Sequence, residues 1–150
     1  MENSNALKIA ESIMTLTRDA VLRDDPNAFA AYFTLPQIVE TFEGRTELKC
    51  IEDVHRTFWA VRRHYDQQGI TDFTRICTEA SYKTPNIIEY IYESVYFKGK
   101  IELPERPSTY AILRLTGGQW RINYTMYGVT NINAFSDRLL NRGEDDQTAA

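Results

Sequence analysis

Two glutamates four residues apart, Glu89 and Glu93, stand in a segment otherwise built for burial, "NIIEYIYESVYFKGK", residues 86–100. In an extended chain alternate side chains share a face, so each glutamate has Ile87, Ile91 or Val95 beside it on its own side. A carboxylate held among such neighbours without a partner is pushed toward its protonated form and becomes a usable acid or base. The same residues serve equally as charges at a sheet edge or as partners of a lysine or arginine. A second candidate is "TLPQIVETFEGRTELKCIEDVHRTF", residues 34–58. It reads as a strand, a tight turn at Glu43-Gly44, a second strand and a helix. Its acids either address a pocket or face water.

Other arrangements offer less chemistry. His55 and His64 are nine residues apart, about 900° of helix at 3.6 residues per turn, so they point to opposite faces and cannot share a metal. His55 borders an apolar stripe one turn from Trp59, which allows either an approach to a pocket or a surface or satisfied core position. Cys50 and Cys77 are too isolated for a zinc site and too few for a disulfide framework, and read as reduced thiols of a cytoplasmic protein. Neither a serine–histidine–acid arrangement nor a glycine-rich phosphate loop can be assembled from local motifs. Nothing calls for a metal or nucleotide cofactor.

The elements that would position these residues follow from periodicity. Leu7, Ala10, Ile13, Met14, Thr17, Ala20 and Val21 recur at helical spacing. Asp25-Pro26 starts a second, short helix, "PNAFAAYF", because the aspartate can accept free N–H groups and proline suits the first helical position. After the hairpin a third helix carries Ile51, Val54, Phe58, Val61 and Tyr65 on one stripe, and Gly69 is placed to stop it. From Thr71 onward the period becomes that of strands: "DFTRICTEASYK", "NIIEYIYESVYFKGK", "STYAILRLTGG" and "QWRINYTMYGV" are separated by Pro85-Asn86, Lys98-Gly99-Lys100 and Gly117-Gly118. "NINAFSDRLL" forms a last amphipathic helix. This order predicts a single α+β domain over residues 1–142, a curved antiparallel sheet with helices on one face, and a mobile tail over 143–150.

Composition agrees. The 150 residues are 43% hydrophobic and 12% aromatic, with 9 Tyr, and suffice for a core without staples. A net charge of −4 argues against a nucleic-acid or anionic-membrane binder. The basic cluster Arg62-Arg63-His64 reads as a solvated helix face. The N-terminus lacks a basic region followed by an apolar run, so no secretory signal is expected, and no run of 18 apolar residues suggests a membrane span.

One face of the 87–98 strand carries Ile88, Tyr90, Tyr92, Ser94 and Tyr96, and tyrosine is favoured where a ring is buried and its hydroxyl stays wet. That predicts a homodimer through the tyrosine-rich face. A half-exposed tyrosine ladder held by cross-strand pairs is the alternative.

With "DDPNAFAAYF", "PQIVETFEG", "IEDVHRTFW" and the closing "GGQWRI", the chain resembles the nuclear transport factor 2-like superfamily over about residues 5 to 130, and within it small bacterial polyketide-cyclase-like and ketosteroid-isomerase-like proteins. The resemblance implies a cone-shaped, cystatin-like sheet wrapped around helices, a pocket for small apolar molecules, and dimerisation through the convex side of the sheet. Overlaid on ketosteroid isomerases, the positions of the proton-moving aspartate, the oxyanion tyrosine and its aspartic acid fall at Thr41, Thr17 and Ala111. None of these can do that chemistry. The overlay sends Glu89, Ile91, Glu93 and Val95 inward, with Asn123, Thr125 and Tyr127, and leaves Trp120, Ile122 and Tyr124 outside. A bulge in the last strand would change that assignment.

Three functions compete. The first is a dimeric pocket protein for a small hydrophobic or amphipathic ligand, the pocket lined by Phe58, Trp59, Val95 and Leu113 beside Asn123, with Thr17, Thr41 and Ala111 at the overlaid positions. The second is a cyclase, isomerase or dehydratase in which Glu93 or Glu89 moves a proton while Tyr127 or Asn123 holds a carbonyl oxygen. The third is a non-catalytic association module, whose mark is a cone filled by its own side chains.

Overall fold

A helix whose buried face is built of small residues can lie close against a sheet, and the first helix has that face. Ala6 and Ala10 of α1 (Asn3–Leu22) are fully buried, and with Ile13 and Met14 they pack on Ile88, Tyr90 and Tyr92 of β4 (Ile87–Lys98). The computed structural model describes residues 3–129 and 135–141. The remaining elements are α2 (Pro26–Ala30), β1 (Phe33–Thr41), β2 (Gly44–Leu48), α3 (Ile51–Gln67), β3 (Asp72–Thr84), β5 (Ile101–Glu102), β6 (Ser108–Thr116), β7 (Gln119–Tyr127) and α4 (Phe135–Leu139). The tail expected at 143–150 and the first part of the expected last helix, 131–134, lie outside the described residues.

The local signals act as read. Asp25 accepts from the Ala28 N–H at 3.0 Å and Pro26 opens α2. Gly69 follows α3 with φ +72, where a side chain would be strained. Gly117 and Gly118 both take positive φ in the two-residue turn between β6 and β7. The second helix is shorter than "PNAFAAYF", because Phe33 already pairs with Ile122 as the start of β1.

The strands form one curled sheet in the order β2-β1-β7-β6-β4-β3, with β5 on the end of β4. Pairing is antiparallel throughout except between β1 and β7, which run parallel, so the sheet is mixed where an antiparallel one was expected. Helices cover the concave side. Arg18 ties α1 to the first turn of β3, its Nε donating to the Phe73 carbonyl at 2.6 Å and Nη2 to Asp72 at 2.8 Å. Among the described residues, no helix is long and apolar enough to cross a membrane.

Candidate functional site

Strand parity divides the candidate residues between two faces. On β4 the concave side receives Ile88, Tyr90, Tyr92, Ser94 and Tyr96, all buried. Glu89, Ile91 and Glu93 therefore lie on the convex side, the reverse of the inward placement expected for them. The physical reason is simple: the tyrosines offer rings that α1 and α3 can cover, while a carboxylate turned inward would lose its water. The tyrosine-rich face of β4 is consequently core rather than a subunit interface.

On the convex side the two glutamates have partners. Glu89 accepts from the Tyr110 hydroxyl at 2.5 Å and lies 4.0 Å from Lys83. Glu93 lies 3.8 Å from Arg106. A second tyrosine, Tyr124, donates to Glu40 at 2.6 Å. Partial desolvation, reinforced by these acceptor carboxylates, raises Tyr110 and Tyr124 to about 12, so both remain neutral donors. Glu40, in the hairpin, thus faces outward in an ordinary pair.

The last strand contains the bulge that could upset its register. Leu113 pairs with Ile122 and Ile112 with Tyr124, leaving Asn123 as the extra residue. Before the bulge Trp120 and Ile122 turn toward α1, not to the convex side as expected. After it Thr125 and Tyr127 line the interior, and Tyr124 stays outside. Asn123 accepts from Arg114 Nε at 3.1 Å on the exposed face, so its expected pocket position is also corrected. Asn123 and Glu93 therefore cannot meet Tyr127 around one substrate.

Inside the cone, side chains leave two small spaces that share Arg75, Tyr92 and Tyr127 in their walls. One, about 50 Å³, lies among Phe58, Tyr65, Arg75, Tyr92, Tyr127 and Phe135. The other, about 20 Å³, is bounded by Thr17, Arg75, Tyr90, Ala111, Thr125 and Tyr127. Of the expected ligand-binding residues, Thr17, Phe58, Ala111 and Tyr127 are thus brought together. Thr41 is buried and shares a 2.7 Å hydrogen bond with Ser136 of α4. Val95 and Leu113 are packed without lining either space, Val95 by parity on the convex side. Trp59 is 36% exposed, its ring meeting Phe58 edge-on.

Toward the surface a wider vestibule of about 470 Å³ adjoins the larger space. Phe42, Ile70, Leu103, Pro107 and Val129 supply its apolar walls, with Glu105 and Arg106 among its polar lining. It shares Tyr65, Tyr96 and Phe135 with the inner space. His64 is also there: against its expected solvated position it is buried and stacks on Phe135, ring centroids 4.8 Å apart and nearly parallel. Burial, with Arg138 nearby, lowers its pKa. No group of described histidines, cysteines and acids is arranged to hold a metal.

Arg75 went unnoticed in the sequence and lies at the centre of the interior. It bounds both inner spaces, and its Nη1 donates to Thr17 Oγ1 at 2.9 Å. The guanidinium carbon sits 5.2 Å from the centroid of Phe73 and 5.3 Å from that of Tyr92. Nε is buried with no hydrogen-bond partner. Part of the residue also reaches a shallow pocket beside Glu11 and Arg18. Burial opposes the Arg75 charge, and the phenol oxygens of Tyr92, Tyr127, Tyr65 and Tyr96 offset it without supplying a negative charge. Burial in turn raises the pKa of Tyr65, Tyr96 and Tyr127, so their hydroxyls stay protonated. The signal available in sequence was an arginine on the same strand face as Phe73 and Cys77 in "DFTRICTEASYK".

These features place the chain in the nuclear transport factor 2-like, cystatin-like fold. It superimposes on a domain of unknown function with a cystatin-like fold from Nostoc punctiforme with a TM-score of 0.67 at 14% identity, covering 99% of this chain and 89% of that one. A nuclear transport factor 2-like protein with a cystatin-like fold from Novosphingobium aromaticivorans matches at 0.64 and 11% identity, over 91% and 90% of the two chains. A ketosteroid isomerase-like protein from Erwinia carotovora matches at 0.60 and 15% identity, over 81% and 94%. No protein-family model matches the chain, and no curated protein matches it in sequence. At these identities the likeness defines the fold, and function must be argued from the site.

Proposed function

We propose that the protein binds a small, largely apolar ligand in the vestibule, with one end directed into the cone. The observation that carries this is a 470 Å³ apolar-walled opening that shares Tyr65, Tyr96 and Phe135 as a common wall with the enclosed space behind them. Ligand sites are typically concave, mostly apolar and provided with a few placed polar groups. A shift of the Phe135 ring would join the two volumes. Titration with the neutral dye Nile red tests the reading. Leu103→Trp, which fills the vestibule, should weaken dye binding at least tenfold without loss of fold. Wild-type protein that takes up no dye would remove the proposal.

The small size of the inner spaces favours a second reading, the association module whose cone is filled by its own rings. Absence of dye uptake together with a stable complex between copies would support it. For either reading the partner copy would sit on the convex face. There Ile91, Tyr110 and Met126 form a half-buried row straight across β4, β6 and β7. Tyr110→Asp should convert a dimer to monomer in light scattering. A wild-type monomer would sink the interface.

A further inference from the structure

Resting on the ligand-binding reading above, we propose that the ligand is an amphipathic carboxylate whose head group is held by Arg75 inside the cone. A guanidinium removed from water is costly unless its donors are met by charge or well-placed acceptors. Arg75 has one neutral acceptor, Thr17 Oγ1, and two ring faces. It makes no ion pair with a carboxylate among the described residues, and its buried Nε donates to nothing. That contrasts with Arg18, its neighbour at the surface, which is paired with both Asp19 and Asp72. The fold gives the surface cation two carboxylates and surrounds the interior one with neutral hydroxyls and rings, so Arg75 selects a ligand of defined chemistry. That ligand is negative, accepts hydrogen bonds, and enters through the spaces that Arg75 bounds.

The shape of the space narrows the class. The space is small, about 50 Å³, which favours a carboxylate of three heavy atoms over the larger sulfate or phosphate. A carboxylate presents two oxygens in one plane, which suits the planar fork of an arginine. The same space is lined by Tyr65, Tyr92, Tyr96 and Tyr127, whose hydroxyls can donate to a carboxylate. Beyond them lies the vestibule, where an alkyl or aryl body meets Ile70, Leu103 and Val129. Polar end inward and apolar body outward is the reverse of a simple hydrophobic socket. It follows from where the unpaired charge sits.

The test compares hexanoate, hexanol and hexanesulfonate by NMR titration of the wild-type protein and of Arg75→Met and Arg75→Lys. In the wild type hexanoate should bind about 10- to 100-fold more tightly than hexanol, the range of a charge-assisted pair. Arg75→Met should bring the two to the same affinity by weakening hexanoate alone. Arg75→Lys, which keeps the charge and loses the fork, should fall between. Equal affinity of hexanoate and hexanol for the wild type would overturn the carboxylate assignment while leaving the pocket itself in place. Hexanesulfonate binding as tightly as hexanoate would likewise overturn the choice of a planar head group. Failure of Nile red to bind would instead remove the pocket, and the carboxylate with it.

Discussion

Both faces of the sheet are rich in tyrosine, yet they are finished differently. On the convex face each hydrogen-bonded tyrosine has its own acid: Tyr110 with Glu89 and Tyr124 with Glu40. On the concave face Tyr92, Tyr96 and Tyr127, with Tyr65 of the covering helix α3, surround a cation that has no acid of its own. Counting tyrosines would have marked either face as a binding surface. Following the partners separates a surface whose polar groups are matched within the chain from an interior that leaves one donor set open.

The two faces differ most in how tightly they are packed. Leu113, fully buried against α1, should cost about 2–5 kcal/mol when changed to alanine, because a cavity is left beneath the helix. Ile112→Ala, one residue along and on the half-exposed convex side, should cost well under that. Urea denaturation of the two variants checks the difference, and equal losses would mean that the convex face is as tightly covered as the core.

A weaker effect separates the faces by pH. Tyr110 and Tyr124 have folded pKa values near 12, above the unfolded value of 10, so their contribution is fully present below pH 10 and is lost as pH rises toward 12. His64 is shifted the other way. Its folded pKa lies below the unfolded 6.5, so its contribution is present above 6.5 and is lost as pH falls through the lowered value. The alkaline limb therefore carries the convex pair together with the buried Tyr65, Tyr96 and Tyr127, and His64 of the vestibule wall contributes to the acid limb. The double variant Tyr110→Phe/Tyr124→Phe should reduce the alkaline limb of a stability–pH curve in part and leave the acid limb as it is, and His64→Phe should act only on the acid limb. Crossed effects would show that the two regions are not energetically separate.

The smallest change is expected from Glu93→Gln. Its carboxylate is on the solvent side and meets Arg106 only at 3.8 Å, so stability should move by less than about 1 kcal/mol. Affinity for the neutral Nile red should not move, because Glu93 does not line the vestibule. A loss of ligand binding in this variant would return Glu93 to the pocket.

Most of the architecture was legible because each element is announced by a period or a punctuating residue. Asp25-Pro26, Gly69 and Gly117-Gly118 set boundaries that chain geometry enforces wherever the segment is placed. Which face of β4 turns inward was not legible in the same way, since both its faces carry large apolar side chains. Helices able to cover rings but not carboxylates decide it, and that is a tertiary choice. In β7 a single extra residue, Asn123, reverses parity partway along, so Trp120 and Ile122 share the interior with Thr125 and Tyr127. Thr17 and Ala111, taken from the overlay, and Phe58, on the apolar stripe of α3, border the interior spaces. Arg75 could have been suspected as a charge on an apolar strand face, but its lack of an acidic partner exists only in three dimensions.

The melting temperature of ligand-free Arg75→Met would weigh the interior charge against its packing. If Arg75 is held open for a ligand, replacing a partly buried cation that has no acidic partner with an apolar chain of similar length should leave the midpoint unchanged or raise it. If Arg75 instead props the cone through Thr17, Phe73 and Tyr92, the midpoint should fall by more than about 4 °C, the scale of a kcal/mol or more in a domain of this size. That fall would contradict the account of the concave face as an unfinished site.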